Sequence, residues 1–317
     1  ARDLVAALSD EDPAGAALLH SHPEWLVRMW WEQLGPEEAR ALLARDNEPA
    51  EVALRVNLTR LGREEAMAEL RRAGAEPRPV PDLDEGVVLG APFDLAGSRL
   101  FREGLVTPQS RASMLVARVV DPRPGERVLD LCAAPGAKST HLAELMRGQG
   151  RLVAVERHAG RARELAADLR RVGGDFAEVV GADARDGAPA EPFDRVLLDS
   201  PCSDLGTLQG RPDARWRKTP ATLADLRSLQ AELLAAAAER MRPGGTLVYS
   251  TCTISADENA EQVAALLADR PELSLDDLGA ERPGLRDPRA PACLALLPHR
   301  HGTEGFFIAR LRRSQAG

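Results

Sequence analysis

From residue 127 onward the chain repeats one unit, a short, almost wholly apolar strand followed by a helix-like stretch. The strands read RVLDL (127–131), RLVAVE (151–156), FAEVV (176–180), DRVLLD (194–199) and TLVYS (246–250). Strands that are continuous apolar runs are buried on both faces, and helices between them act as crossovers. The pattern therefore predicts an α/β fold built on a parallel sheet covered on both sides. In such sheets ligands bind beyond the carboxyl ends of the strands, so the residues following each strand are the ones to read for chemistry.

The first strand runs into Cys132, Ala133, Ala134, Pro135, Gly136, Ala137, Lys138, Ser139 and Thr140. Small residues and a glycine at a strand-to-helix turn let a ligand approach the backbone closely. The spacing is not that of a phosphate loop. The second strand ends in Glu156, suited to the two hydroxyls of a ribose. Near the end of the third lies Asp183, whose carboxylate could accept a hydrogen bond from an adenine amino group. The fourth ends in Asp199. With Asp130 counted, four successive strands each carry an acidic residue, which selects a nucleoside-type cofactor.

With 317 residues and 44% hydrophobic content, the chain is long enough for a full catalytic core plus smaller additions. It has no apolar run of membrane-spanning length and no signal-peptide pattern, which points to a soluble cytoplasmic protein without membrane contact. The cysteines Cys132, Cys202, Cys252 and Cys293 form no CxxC pair. That argues against a zinc ribbon, and no metal is expected. Isolated thiols suit a reducing compartment. A net charge of −8 excludes a surface that is basic throughout but leaves room for a local basic face. We expect a monomer.

Residues 14–46 read as a helical pair opened by Pro23 and Pro36, with an apolar stripe packed on a neighbouring domain. RNA stacking by Trp31 is the alternative. From Ala53 to about residue 105, short strands (ALRVN, VVLG) and the helix REEAMAELRRAG make a small α+β module. Its cations, Arg55, Arg60, Arg63, Arg71, Arg72 and Arg78, read first as solvated surface. Residues 210–218 carry Arg211, Arg215, Arg217, Lys218 and Trp216 against one acid. Such a loop either holds phosphates and stacks a base or is an ordinary exposed loop.

DLCAAPGAKST (130–140), DSPCS (199–203) and YSTCTISADEN (249–259), with RVN (55–57), TPQS (107–110) and HGTEGFFIARL (301–311), cover nearly the whole chain. In these motifs it resembles the RNA cytosine-C5 methyltransferases of the Sun, or RsmB, group. The resemblance implies a Rossmann-like S-adenosylmethionine-dependent methyltransferase sheet with an antiparallel last strand near FFIARL, preceded by an RNA-recognition-like α+β module. It divides the chain into linker helices (1–50), following a NusB-like domain missing or removed here, an RNA-binding module (51–106) and a catalytic domain (107–317). S-adenosylmethionine would be held by Cys132 to Lys138, Glu156, Asp183 and Asp199. The substrate implied is RNA, 16S ribosomal RNA first, with transfer RNA or 23S ribosomal RNA as alternatives. The chain departs from the family at Ala137, where a glycine is usual, and in DSPCSDLG, where DAPCSGTG is usual, which leaves the shape of the loop from Ser203 to Thr207 open.

Carbon 5 of cytosine is a poor nucleophile, so a thiolate must first add to carbon 6 and make carbon 5 an enamine carbon. The thiol pKa has to fall from about 8.5, and Lys138 and the cofactor's sulfonium are candidate causes. Asp199 would act beside N3. Spacing alone lets either Cys202 or Cys252 be the nucleophile; the resemblance assigns attack to Cys252 and release to Cys202. Cys293, and the side chain of Cys132, read as small buried apolar groups. Two other classes fit parts of the pattern: a methyltransferase acting on nitrogen, which needs no cysteine, and a non-catalytic RNA-binding ribosome-assembly factor.

Overall fold

The computed structural model describes residues 9–315. Three helices come first: α1 (Pro13–His20), α2 (Glu24–Leu34) and α3 (Pro36–Arg45). The sequence suggests two. The extra one arises because Asp12 caps the backbone N–H groups of Ala14 and Gly15, while Ser21, with φ +58°, ends the helix before Pro23. Leu26, Val27, Trp30, Leu42 and Leu43 pack in one apolar cluster with Leu205, Leu208, Leu223, Ile254 and Leu297, so the helices are bound to the part of the chain that builds the large sheet. Trp31 is half-buried beneath the guanidinium of Arg40, 5.4 Å from its ring centre.

A four-stranded antiparallel sheet follows, β1 (Val52–Val56), β2 (Pro77–Pro79), β3 (Gly86–Leu89) and β4 (Val106–Pro108), in the order β2-β3-β1-β4. Helix α4 (Arg63–Arg72) packs Met67 and Leu70 against Leu54, Val56, Val87 and Val106. Arg55, expected on the surface, has no exposed area. Its guanidinium donates to Glu144 (2.9 and 3.0 Å), Thr140 Oγ1 (2.8 Å), the carbonyl of Ala137 (2.7 Å) and Gln109. Those partners lie 54 to 89 residues further along the chain.

The large sheet contains β5 (Arg127–Leu131), β6 (Arg151–Val155), β7 (Glu178–Val180), β8 (Phe193–Asp199), β9 (Met241–Thr251), β10 (Leu273–Leu275), β11 (Leu294–Leu296) and β12 (Phe306–Arg313). The order is β10-β12-β9-β8-β5-β6-β7, with β11 also paired to β12. Strands β5 to β9 are parallel, and β12 is antiparallel to β9. One face is covered by α5 (Arg111–Val120), α6 (Ala137–Leu145) and α7 (Ala159–Val172), the other by α8 (Pro220–Glu239) and α9 (Ala260–Asp269). Strand β7 is shorter than the apolar run because the N–H of Ala177 turns back to the carbonyl of Gly174. The chain reverses its direction of winding between β5 and β8, so a crevice opens where their carboxyl ends diverge. Among the described residues no helix is long and apolar enough to cross a membrane.

Candidate active site

A cleft of about 670 Å³ lies at that crevice. Of the twelve residues expected to hold the cofactor or to react with the base, ten line it; Ala133 and Gly136 do not. Ala133 is buried in the core under the loop. Gly136, with φ +113°, makes the turn into α6 in the left-handed region, and a Cβ there would meet Leu165 Cδ1 at 2.8 Å, so only glycine fits. Cys132 also has positive φ, +61°, and its thiol is pushed up to about 12 by burial and the carboxylates around it. It packs partly against the core, and Cys293 lies wholly within it.

Glu156 is buried at the end of β6, with Oε1 accepting the N–H of His158 at 2.8 Å. Asp183 is gripped by Arg185 through its backbone N–H and guanidinium, which holds its carboxyl down at about 2. Carboxylate oxygens accept more than one donor, so both groups keep capacity for hydroxyl or amino donors. Asp130 does not join this series. It lies inside β5 with no exposed surface and accepts from Ser139 Oγ at 2.5 Å, tying the strand to α6 beneath the cleft. A close-approach turn, a buried acid for a ribose and a second acid beyond the third strand form a donor set that fits S-adenosylmethionine.

Across the cleft, Asp199 ends β8. Its Oδ2 accepts from Lys138 Nζ at 2.6 Å and its Oδ1 from Ser250 Oγ at 2.8 Å. Burial alone would lower Lys138, but Asp199 and the nearby Cys252 outweigh it and raise it. Two loops then bring Cys202 Sγ and Cys252 Sγ within 3.3 Å of each other. The contact with Cys202, together with burial, pushes the Cys252 thiol well above its usual range. Cys252 Sγ donates to Asp204 Oδ1 at 3.2 Å.

A buried network holds the two loops together. Glu258 Oε2 accepts from Ser203 Oγ at 2.5 Å, and its Oε1 accepts from the Ser203 N–H at 2.8 Å and from Gln230 Nε2 at 3.0 Å. Tyr249 Oη donates to the Glu258 carbonyl at 2.6 Å. The N–H of Gly206 reaches the carbonyl of Cys252 (2.9 Å), and the N–H of Gly305 the carbonyl of Gly206 (2.7 Å). A Cβ on Gly206 would lie 2.1 Å from the Gly305 oxygen, so HGTEG packs directly on the cysteine loops. Asp204, Gln230, Ser250 and Glu258 escaped the sequence reading, because each acts through partners 28 to 55 residues away. Within 210–218 the cations divide: Arg215 is buried against Ser21, Asp46 and Asn47, Arg211 lines the cleft, and Trp216 and Arg217 are exposed. Among the described residues, Cys202, Asp204 and Cys252 bring three ligand-type atoms within 4.8 Å of one another.

Strand order, antiparallel last strand and adenosyl-fitting cleft together define an S-adenosylmethionine-dependent methyltransferase. The chain belongs to the family of 16S rRNA methyltransferases RsmB/F, whose model matches residues 117–312, while the RsmF/B-like ferredoxin-like domain matches residues 22–96. It is 37% identical over 313 residues to a probable ribosomal RNA small subunit methyltransferase B of Synechocystis sp., covering 96% of this chain and 70% of that one. The corresponding Bacillus subtilis protein is 38% identical, with coverage of 96% and 69%. A methyltransferase homolog protein from Pyrococcus horikoshii has a TM-score of 0.83 at 29% identity, covering 94% of this chain and 97% of that one. NSun6 from Pyrococcus horikoshii, solved with SFG, has a TM-score of 0.87 at 25% identity, covering 94% and 100%.

Proposed function

We propose that this enzyme methylates carbon 5 of a cytosine in small-subunit ribosomal RNA, with Cys252 bonded to carbon 6 during the reaction. The observation that carries this reading is the convergence of two thiols from separate loops, 3.3 Å apart, at the cleft that also holds Asp199 and Lys138. Methylation of nitrogen has no use for such a pair. Cys132 to Lys138, Glu156, Asp183 and Asp199 would hold S-adenosylmethionine, which supplies a methyl group on a sulfonium when bound.

Cys252 attacks carbon 6, and electron density flows through the ring to N3. Asp199, held by Lys138 and Ser250, relays to N3 a proton supplied by Lys138, so that the ring carries no net negative charge after attack, and the proton returns to Lys138 when the adduct breaks down. Buried next to Cys202, Cys252 starts as a thiol, and Lys138 is the resident cation that favours its ionised form. Cys202 assists release. The target base must leave its stack to reach the thiols, and Arg211 on the cleft wall, followed by the exposed Trp216 and Arg217, suits unpaired RNA. We further propose a cytoplasmic monomer, without a resident metal, divided into linker helices, RNA-binding module and catalytic domain.

The test is small-subunit RNA carrying tritium at carbon 5 of cytosine. Each methyl transferred should release one tritium to water. Methyl transfer without tritium release would mean that another atom is methylated.

A further inference from the structure

We propose that Asp204 carries the proton that leaves carbon 5 of the methylated base and returns it to the sulfur of Cys252. This rests on the covalent reading above. Asp204 occupies the position in DSPCSDLG where the resembled family usually has glycine. Its φ of +59° lies in the left-handed region, which aspartate tolerates better than most residues. A carboxylate has thus been added where a glycine backbone would present no side chain.

That carboxylate points at the reacting atoms. Oδ1 lies 3.2 Å from Cys252 Sγ and 3.9 Å from Cys202 Sγ, and Oδ2 lies 3.6 Å from Lys218 Nζ. The backbone is pinned as well: the Asp204 carbonyl accepts from the N–H and Oγ1 of Thr207 at 3.0 and 2.9 Å, and Gly206 is bonded to the carbonyl of Cys252. When Cys252 Sγ is bonded to carbon 6, carbon 5 is one bond further on, within reach of the same oxygen. Asp199 is committed to Lys138 and Ser250, and Glu258 to Ser203 and Gln230; Glu304 also lines the cleft, but among the described residues it is Asp204 whose carboxylate contacts the thiols.

After methyl transfer carbon 5 bears the methyl group and one hydrogen. The Asp204 carboxylate takes that hydrogen as a proton. The electron pair of the C5–H bond becomes the C5=C6 double bond, the C6–S bond breaks, and its pair leaves on Cys252 as thiolate. The carboxylic acid so formed then passes the proton to the thiolate, a downhill transfer to a more basic group. Aspartate and cysteine both return to their starting states, and the one net proton that methyl transfer from a sulfonium liberates is the thiol proton, given up to water when Cys252 attacks.

The experiment follows formation and decay of the covalent RNA adduct in single turnovers for wild type, Asp204→Asn, Asp204→Gly and Cys252→Ala. Asparagine and glycine both suit positive φ, and melting and S-adenosylmethionine binding check the fold. We expect the adduct to form at the wild-type rate in both Asp204 variants and to decay about 100-fold more slowly, the lower end of what a positioned proton carrier contributes. Decay at the wild-type rate would overturn the proposal, as would failure of the adduct to form, which would put Asp204 at attack instead. If Cys252→Ala still yields 5-methylcytosine, the covalent reading itself fails, whatever the Asp204 variants do.

Discussion

Asp130 shows how far a residue's role depends on where its strand carries it. In β5 one of its oxygens accepts from Ser139, and the other has no partner among the described residues. Burial, reinforced by the charge of Asp199, raises its pKa to about 7, against the opposing pull of Ser139 and Lys138. Because the folded value lies above the unfolded one, the stability Asp130 contributes is fully present below about pH 4 and is lost as pH rises through about 7. Asp130→Asn removes that loss. Its melting temperature relative to wild type should climb between about pH 4 and pH 7 and level off above; parallel melting curves would show that Asp130 is ionised in the folded protein. Asp204 is the converse case. An unusual residue in a left-handed turn carries a side chain directly onto the two thiols.

At the scale of elements, the central strands were legible because each is a nearly unbroken apolar run, and Glu156 and Asp199 because they close such runs. Short edge strands gave no such signal: β10 and β11 have three residues each and exist through pairing with β12. The docking of β1 on α6 was also hidden. Nothing near Arg55 in sequence announces Glu144, so a buried clamp reads as one more surface arginine. The clamp holds the first turns of α6 through the Ala137 carbonyl and Thr140, directly after the turn that begins at Cys132. Arg55→Met leaves Glu144 buried and unpaired, a change that costs about 3–5 kcal/mol. A marked fall in melting temperature is expected, with weaker S-adenosylmethionine binding by calorimetry. Unchanged melting would mean that the clamp is not needed to join the two sheets.

Across the whole molecule, three pieces of chain meet at the reaction centre. The N-terminal helices brace the loop at Leu205 and Leu208, HGTEG locks Gly206, and the small sheet anchors α6 through Arg55. A chain of net charge −8 must attract RNA locally, and Arg211 lines the cleft while Trp216 and Arg217 are exposed a few residues further along the chain. Binding should therefore depend on few phosphate contacts and on unpaired bases. Which thiol bonds to RNA decides the mechanism. The decisive measurement incubates wild type, Cys252→Ala and Cys202→Ala with small-subunit RNA and labelled S-adenosylmethionine, scoring 5-methylcytosine and RNA that survives denaturing electrophoresis attached to protein. Cys252→Ala should abolish both signals while Cys202→Ala accumulates attached RNA; methylated cytosine made by Cys252→Ala would contradict the account.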